Sequence, residues 1–394
     1  MRSLQDDFLN YQAKTTPHPL GIVVKKAKGS YITSESGKKY LDFIAGVSAC
    51  SLGHCHPKVV SAIRKQSKKY LHVMVYGEFA QEPAVNLSKE LIDLLPENHQ
   101  SIYLTNSGTE AIEGALKLAK RVTGRSELIG ALNSYHGSTH GALSLLGSEH
   151  QKVGYRPFLP DTRFIQFNSL ADLEKITTKT AAVLLETIQG GAGFILPEND
   201  YFKKVKERCD AVGALLILDE IQPGFGRTGR FFGFEHFNVK PDIIVMGKGM
   251  GGGLPVGAFT ASHDLMKMLE DKPKLGHITT FGGNPLIAAS CLATLRVIRD
   301  SELMQEIPEK EALFRFELNH PKIKSIRGKG LMLAPILENA ELANQVVLKC
   351  IDRGLLLFWL LWEKKAIRIS PPLTISKKEI KKGCAIIRSV LDEI

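Results

Sequence analysis

The sequence predicts an α/β protein, with a mostly parallel central sheet in a large domain and a smaller α+β domain beside it. Short apolar runs alternate with amphipathic segments through the middle of the chain, a pattern typical of parallel strands joined by helices. After Pro285 the pattern changes to helices followed by short strands. The 394 residues are 44% hydrophobic and 23% charged, near the globular averages, so disorder is excluded for the bulk of the chain.

The central sheet is predicted from apolar runs that are short enough for strands and apolar enough to be buried on both faces. These runs are residues 102–105, 128–132, 181–185, 214–218 and 243–246. Between them, residues 110–122 and 200–212 place apolar side chains at helical spacing. Because parallel sheets bind ligands beyond the carboxyl ends of their strands, the residues after each run are the first candidates for a functional site.

The small domain is predicted from both ends of the chain. Its helices are expected over residues 286–298, 311–318, 342–351 and 377–391, and its strands over residues 323–327, 331–337 and 366–370. Residues 355–362, the longest apolar run, are too short to span a bilayer and are predicted to form a buried strand. The first ~45 residues are expected to pack with this part. We therefore predict a large domain over residues 50–285 and a small domain from residues 1–49 and 286–394.

The charge and cysteine patterns restrict the partners and the compartment. Lysine and arginine (51) exceed aspartate and glutamate (41), for a formal net charge of +10. The excess is spread along the chain, so neither a nucleic-acid nor a membrane partner is predicted, although it suits small anionic ligands. Six cysteines without a CxxC pair, and no signal peptide, predict a cytoplasmic protein. No metal is predicted, because the His54-Cys55-His56 triplet lacks a second group of ligands.

Two polar segments follow the first two predicted strands. Ser107, Gly108 and Thr109 come before a helix, where free backbone N–H groups and the helix dipole favour a phosphate. An ordinary capped turn is the alternative. Tyr135 and His136 follow the next strand. The tyrosine could stack on a flat ligand or pack at a rim, and the histidine could be a structural hydrogen-bonding group.

An acid and a lysine end two further strands. Asp219 directly follows an apolar strand, and burial of its carboxylate there is costly without a cationic partner. That partner could be a protonated ring nitrogen or an ordinary salt bridge, and Gln222 is within reach of the same ligand. Lys248 stands among glycines, but Gly249 follows it, so the GxxxxGK[ST] phosphate loop is excluded. A nucleophilic lysine that forms a Schiff base is the remaining interpretation.

Together these residues describe a pyridoxal phosphate site: a phosphate anchor, an aromatic face, an acid for the ring nitrogen and a Schiff-base lysine, in that order along the chain. At this point the chain resembles the class III aminotransferases, the group that includes ornithine, acetylornithine and 4-aminobutyrate enzymes. The resemblance covers roughly residues 15 to 380. The motifs that carry it are residues 51–57, 106–110, 135–137, 219–227, 248, 280–285 and 369–373.

The resemblance implies an aspartate-aminotransferase-like fold (fold type I) and a homodimer with composite active sites. It also implies transfer of an amino group, from an ω-amine such as ornithine or acetylornithine to a 2-oxo acid, by a ping-pong mechanism. An aminomutase or decarboxylase of the same fold is the alternative. A non-enzymatic cofactor-binding regulator is disfavoured because Lys248 and Asp219 are intact. The sequence leaves the donor open, and also the choice between pyruvate and 2-oxoglutarate as acceptor.

The resemblance also implies roles for single residues. Lys248 would hold the cofactor aldehyde and move the substrate proton, Asp219 would pair with the ring nitrogen, and Gln222 would reach the ring hydroxyl. The phosphate would be held by Ser107, Gly108 and Thr109, the ring would stack on Tyr135, and the remaining cofactor-binding residues would be His136, Glu186, Thr279 and Thr280. Thr280 would act on the neighbouring subunit's phosphate, and Arg368 would bind a substrate carboxylate.

One position departs from the family pattern. Many members have a second glutamate where this chain has Gly191, and in ornithine and 4-aminobutyrate enzymes that glutamate masks the arginine that corresponds to Arg368. Without it, Arg368 is expected to stay available, and a glutamate restored at position 191 is expected to mask it again. Val47 also stands where ornithine enzymes tend to have an aromatic residue that selects the donor.

Overall fold

The computed structural model describes residues 3–74 and 77–394. In chain order its helices are α1 (Leu4–Tyr11), α2 (Ala45–Ser48), α3 (Pro57–Ser67), α4 (Glu82–Ile92), α5 (Gly108–Thr123), α6 (His140–Ser144), α7 (Tyr201–Val212), α8 (His263–Lys267), α9 (Pro285–Arg299), α10 (Leu303–Glu317), α11 (Ala340–Asp352) and α12 (Lys377–Glu393). None of these helices is both long enough and apolar enough to cross a membrane.

The strands are short, and most of them lie between helices. They are β1 (Val24–Lys28), β2 (Tyr31–Ser34), β3 (Lys39–Asp42), β4 (Ser101–Thr105), β5 (Glu127–Ala131), β6 (Thr162–Ile165), β7 (Thr180–Glu186), β8 (Leu215–Asp219), β9 (Ile243–Gly247), β10 (Gly257–Ala261), β11 (Ile323–Lys329), β12 (Met332–Leu337), β13 (Leu355–Leu356), β14 (Phe358–Trp359) and β15 (Ile367–Arg368).

A seven-stranded sheet forms the centre of the described structure, in the order β4-β10-β9-β8-β7-β5-β6. The pairs from β6 to β9 are parallel, and β10 is antiparallel to both of its neighbours. Strands β5, β7 and β9 are buried along their whole length, as continuous apolar runs predict. The register pairs Glu186 with Asp219, so two acids lie side by side where β7 and β8 end.

The sheet also differs from the sequence prediction at one edge. The sequence pattern gave no strand at β6 or β10, and β10 inserts between β9 and β4. As a result β4 is an edge strand and most of its residues are only half-buried, whereas burial on both faces was expected. Register and strand order depend on contacts between distant segments, which an apolar run cannot specify.

The two ends of the chain meet in a second sheet, β1-β2-β3-β13, in which β3 and β13 are parallel. β11 and β12 form a separate hairpin. Helix α10 begins at Leu303, earlier than predicted, and continues through Pro308. The division into residues 50–285 and residues 1–49 with 286–394 stays a prediction.

The prediction of one buried strand over residues 355–362 is wrong. The run divides at Leu357: β13 pairs with β3, whereas β14 pairs antiparallel with β15. Phe358 is 38% exposed, and Leu361 is 45% exposed. The first half of this apolar run therefore packs in the core beside β3, and the second half lines a cavity.

Candidate active site

A cavity of about 570 Å³ opens beyond the carboxyl ends of β7, β8 and β9. Parallel sheets place ligands at this edge. The cavity is lined by Val47, Gly108, Thr109, Tyr135, His136, Gly137, Ser138, Glu186, Gly191, Asp219, Ile221, Gln222, Pro223, Lys248, Phe358, Trp359, Leu360, Leu361 and Arg368. Most of the residues predicted from separate strand ends are thus brought into one space.

Lys248 follows β9 directly and has a positive φ of 44°, which is uncommon for a residue other than glycine. Such strain persists only where the surrounding structure imposes it, often at functional sites. Burial lowers the pKa of the Lys248 ammonium, and nearby Arg368 adds to the effect, whereas Asp219 and Glu186 oppose it. The neutral amine, which is the nucleophilic form, is therefore more accessible than in a free lysine.

Asp219 is held in place by two donors. His136 Nδ1 lies 2.8 Å from Asp219 Oδ2, and the Ile221 backbone N–H donates to Oδ1 at 2.9 Å. Both the Asp219 and the His136 side chains are buried. Two further lone pairs of the carboxylate stay available for a cation in the cavity. His136 thus acts on Asp219, as a structural hydrogen-bonding group would.

Glu186 is a second buried acid in the cavity. Its carboxyl accepts backbone N–H bonds from Tyr135 (3.0 Å) and Gly190 (2.9 Å). Burial raises the pKa of Glu186 to about 7, and neighbouring Asp219 adds to that increase. The bonds tie the end of β7 to the loop after β5, so Glu186 positions the segment that carries Tyr135.

The amino end of α5 supplies the candidate phosphate anchor. Ser107 caps this 16-residue helix, because its Oγ accepts the Glu110 N–H at 3.3 Å. Gly108 and Thr109, in the first turn, line the cavity, where unpaired N–H groups favour an anion. Gly137 has a φ of 131°, and a Cβ there would lie 2.1 Å from Thr109 Oγ1, so only glycine fits against this turn.

Tyr135 and Gln222 also reach the cavity. The Tyr135 ring is half-buried, and its hydroxyl lies 3.3 Å from Ser138 Oγ. Gln222 Nε2 donates to Ser48 Oγ at 3.3 Å. Both side chains line the space into which Lys248 and Asp219 project, as the sequence prediction requires.

Arg368 is buried, and no acid among the described residues forms a direct ion pair with it. Its Nε donates to Trp359 O at 3.4 Å, and its Nη1 has no acceptor among residues 3–74 and 77–394. Burial lowers the pKa of Arg368 to about 10, and Glu186 partly offsets this. An unsatisfied buried guanidinium is costly, so a carboxylate that enters the cavity would gain a strong charge-assisted pair.

Gly191 is packed against the Trp362 indole. A Cβ at this position would lie 2.8 Å from Trp362 Nε1 and 3.4 Å from Leu361 Cβ, and the Trp362 backbone N–H donates to Gly191 O at 2.9 Å. The indole therefore occupies the space that a side chain at 191 needs. A glutamate at position 191 would have to displace the Trp362 indole before it could reach Arg368, and the restored masking in Gly191→Glu stays a prediction.

Three predicted residues lie outside the cavity of their own chain. The Ser107 side chain is used as the helix cap, and only the residues after it line the space. Thr279 lines a separate surface cavity of about 380 Å³, and Thr280 is exposed. A direct role of the two threonines in this chain's own cavity is therefore not supported by their positions.

The apolar wall of the site was not predicted from the sequence. Residues 358–361 were assigned to a strand core, yet all four line the cavity opposite the strand ends. A signal was present, because the run contains both tryptophans of the chain, Trp359 and Trp362, and stands a few residues before Arg368. What the sequence could not show is the break at Leu357 that turns these side chains toward the cavity.

The residues of this cavity fit pyridoxal phosphate. Asp219 offers a fixed carboxylate for a protonated ring nitrogen, Lys248 offers an amine with a lowered pKa, and the first turn of α5 offers N–H groups for a phosphate. His136 Nε2 and Arg368 Nη1 are buried polar atoms that the described residues leave unpaired, as expected where a polar ligand completes the site.

Comparison with known proteins identifies the family. The Aminotransferase class-III family matches residues 11–391. Among curated relatives, the acetylornithine aminotransferase of Caldanaerobacter subterraneus subsp. tengcongensis is 37% identical over 387 residues, 95% of each chain. That of Bacillus subtilis is 36% identical over 382 residues, 94% of this chain and 95% of the relative.

Solved structures agree with these relatives. The ornithine aminotransferase of Toxoplasma gondii superposes with a TM-score of 0.91 and is 31% identical, covering 100% of this chain and 96% of its own. A second structure of that enzyme, with a TM-score of 0.90 and 32% identity over 98% and 94% of the two chains, is described with pyridoxal phosphate at its active site. The chain therefore belongs to the class III aminotransferase family, and it is a pyridoxal-phosphate-dependent enzyme of the aspartate-aminotransferase-like fold that transfers amino groups between amines and 2-oxo acids.

Proposed function

We propose that the protein transfers the amino group of an ω-amine to a 2-oxo acid, with Lys248 as the group that both anchors the cofactor and moves the proton. The observation that carries this proposal is the shared cavity of Lys248 and Asp219, in which burial lowers the lysine pKa. The curated relatives named above are acetylornithine aminotransferases, and an ω-amine of that kind is the default donor to test.

Several cofactor contacts are proposed for residues of the chain that carries Lys248. Gly108 and Thr109, behind the Ser107 cap, hold the phosphate, and Tyr135 stacks on the ring. Gln222 reaches the ring hydroxyl. Glu186 and His136 act indirectly: Glu186 fixes Tyr135 by a hydrogen bond, and His136 fixes Asp219 by another.

Pyridoxal phosphate supplies an electron sink for the pair of electrons left when the substrate's C–H bond breaks. Asp219 keeps a proton on the ring nitrogen by direct charge pairing, which deepens that sink. Lys248, once the substrate amine has taken its place, is free to accept the proton from the substrate carbon. The same amine would then give this proton back inside the cavity, so that Lys248 would serve first as the base and then as the acid. Arg368 orients a substrate carboxylate during these transfers.

The function is tested by supplying an ω-amine and a 2-oxo acid together and measuring the amino acid formed from the 2-oxo acid. A ping-pong transaminase is expected to form the new amino acid and the deaminated donor in equal amounts. Without the 2-oxo acid, the reaction should stop after one turnover of the donor. Continued loss of the donor without any acceptor would instead identify an aminomutase or decarboxylase and contradict the proposal.

Arg368→Ala is expected to raise KM for the 2-oxo acid about ten- to a hundred-fold, because a charge-assisted pair contributes roughly 1.5–3 kcal/mol. Steady-state kinetics with a fixed donor provide the measurement. Arg296→Ala is the matched control, because Arg296 pairs with Glu90 outside this cavity. If KM changes equally little in both variants, Arg368 is not the carboxylate site.

We also infer a homodimer in which Thr279 and Thr280 face the partner's site. Exposed apolar side chains lie in two segments, and the second segment contains both threonines: Leu71, Met74, Phe79 and Val85 in the first, and Ile278 and Phe281 in the second. Two of them, Phe79 and Val85, line the surface cavity that Thr279 shares. Apolar surface of this kind is typical of a protein interface.

Mixing Lys248→Ala and Thr280→Phe subunits, each inactive alone, is expected to restore activity, because one composite site of each heterodimer is intact. If Thr280 served its own subunit, both sites of the heterodimer would be damaged. Activity is measured after the two variants have been unfolded and refolded together, with differently tagged subunits to verify that heterodimers form. No activity in verified heterodimers would contradict the shared site. The cytoplasmic location stays a prediction from the cysteine pattern.

A further inference from the structure

Thr109 and Glu113 lie one turn apart on α5, and both contact the segment of residues 135–142. Residues four apart on a helix are neighbours on its surface. Thr109 Oγ1 lies 2.7 Å from Thr139 Oγ1, and Glu113 Oε1 accepts the Ala142 backbone N–H at 3.0 Å. The amino end of α5 is thus joined to this segment by two side chains of the helix.

Two glycines allow the segment to come this close to α5. A Cβ at Gly137 would lie 2.1 Å from Thr109 Oγ1, and a Cβ at Gly141 would lie 2.2 Å from Glu113 Oε2. Real Cβ atoms do not approach other atoms to such distances, so any other residue at either position would push the segment away from the helix. Two separate positions of the segment therefore fit the same two side chains.

The direction of each hydrogen bond follows from the number of protons available. Glu113 Oε1 already accepts the Ala142 N–H, so it also acts as the acceptor toward Thr139 Oγ1 at 2.5 Å, and Thr139 donates its single hydroxyl proton. The 2.7 Å contact between the two threonine hydroxyls then requires Thr109 as the donor. The bonds form a chain from Thr109 through Thr139 to Glu113, and this chain uses the Thr109 hydroxyl proton.

A phosphate at the amino end of α5 therefore finds no donor in the Thr109 hydroxyl. The lone pairs of this oxygen, one of which accepts the Thr139 N–H at 3.3 Å, would repel phosphate oxygens. The backbone N–H groups of Gly108 and Thr109 lie in the first turn and have no acceptor among the described residues. These N–H groups are available to a phosphate, and their position depends on how firmly the turn is held.

The same chain of bonds joins the phosphate end of the site to its ring end. The segment of residues 135–142 begins with Tyr135 and His136, which line the cavity. Thr139 precedes α6, but its side chain does not cap that helix. Glu113 provides the cap instead, because it accepts the Ala142 N–H in the first turn of α6. Glu113 thus fixes the spacing between the N–H groups for the phosphate and the residues beside the ring.

We propose that Thr109 holds the cofactor phosphate through its backbone N–H and not through its hydroxyl, and that Glu113 is a positioning residue for this phosphate anchor. Neither Glu113 nor Thr139 is among the described residues that line the cavity, so Glu113 acts through the chain of bonds. Every bond of this chain lies within one subunit. The inference rests on the proposed function in one respect, since it takes the first turn of α5 as the phosphate site.

Glu113→Ala is tested by its affinity for two probes, pyridoxal phosphate and pyridoxal, which lacks the phosphate. The full-length protein, freed of its cofactor, is titrated with each probe, and binding is followed by the change in probe absorbance. We expect the Kd of pyridoxal phosphate to rise at least about tenfold, because two bonds to a carboxylate are lost, and the Kd of pyridoxal to change less than about threefold. An equal rise for both probes would indicate a general packing defect and overturn the positioning role.

Two further variants separate hydrogen bonding from charge. Glu113→Gln keeps an oxygen that can accept both bonds, so its Kd for pyridoxal phosphate should stay within about threefold of wild type. Glu113→Asp keeps the charge but is one methylene shorter, so it should lose affinity as Glu113→Ala does, and it replaces that variant if the alanine protein does not fold. Loss of affinity in Glu113→Gln, or wild-type affinity in Glu113→Asp, would contradict the chain of bonds.

Glu311→Ala is the matched control. Glu311 is also a half-buried glutamate on a helix, α10, and it accepts the backbone N–H of Gly330 at 2.5 Å, outside the cavity. Its exchange is expected to lower the free energy of unfolding and to leave the Kd of both probes unchanged. A rise for pyridoxal phosphate alone in Glu311→Ala would show that the effect is not particular to Glu113, and would overturn the proposal.

Thr109→Ala tests the hydroxyl itself. The backbone N–H is kept, so we expect the Kd of pyridoxal phosphate to rise less than about tenfold, whereas a hydroxyl that donated to the phosphate would contribute about ten- to a hundred-fold. A rise of tenfold or more that is confined to pyridoxal phosphate would overturn the backbone assignment. Absence of transamination with every substrate pair, with these affinities as expected, would refute the proposed function and leave the role of Glu113 in place.

Discussion

Lys248→Ala is expected to lower kcat by at least about 10³-fold, because the exchange removes both the covalent anchor of the cofactor and the group that moves the substrate proton. Gly108 and Thr109 at the amino end of α5 are intact in this variant, so part of the cofactor should remain bound. The measurement is steady-state turnover together with the amount of cofactor that stays with the protein after gel filtration.

Lys267→Ala is the control for this exchange, because Lys267 is an exposed lysine at the end of α8. It should keep wild-type turnover. Addition of a small primary amine to Lys248→Ala is expected to restore part of the activity, since a free amine can accept and return the proton. Turnover within about tenfold of wild type in unsupplemented Lys248→Ala would show that another base performs the transfer.

Asp219→Asn is expected to slow proton transfer by about 10- to 1000-fold. The exchange removes the negative charge that holds a proton on the ring nitrogen, and an opposite charge at this range is worth one to three pKa units. The amide can still accept the Ile221 N–H bond, so the fold around β8 should be kept. A single-turnover experiment, in which the enzyme is mixed with donor alone, measures the step directly.

Glu220 offers a matched control for Asp219. It is the next residue and is also a buried acid, but its carboxylate accepts bonds from Thr187 Oγ1 (2.6 Å) and from the backbone N–H groups of Gly233 and Phe234 (2.7 Å each). Glu220→Gln is expected to lower stability and leave the single-turnover rate close to wild type. An equal loss of rate in both variants would assign the effect to disturbed packing and not to charge at the ring nitrogen.

The strand ends were the part of the site that sequence could predict. Asp219 and Lys248 each follow a buried apolar run, and a parallel sheet brings all such ends to one edge. Asp219 and Lys248 therefore line one cavity although they are far apart along the chain. The amino end of α5 was predictable for a different reason, because Ser107 is a typical helix cap.

The apolar wall was not predictable from the same patterns. A continuous run of leucines and aromatic residues is typical of a buried strand, and nothing in its periodicity reveals that its two halves pair with different strands. The break at Leu357 arises because β13 pairs with β3 from the other end of the chain. The contact between Trp362 and Gly191 likewise joins residues far apart in sequence, so the reason for the glycine emerged only in three dimensions.

We propose Lys248 as the lysine that is bonded to pyridoxal phosphate. Reduction of the holoenzyme with borohydride converts the bond between lysine and cofactor into a stable amine, and peptide mapping then locates the modified residue. We expect one modified lysine, Lys248, in the glycine-rich segment after β9. Modification of any other lysine, with Lys248 recovered unmodified, would contradict it.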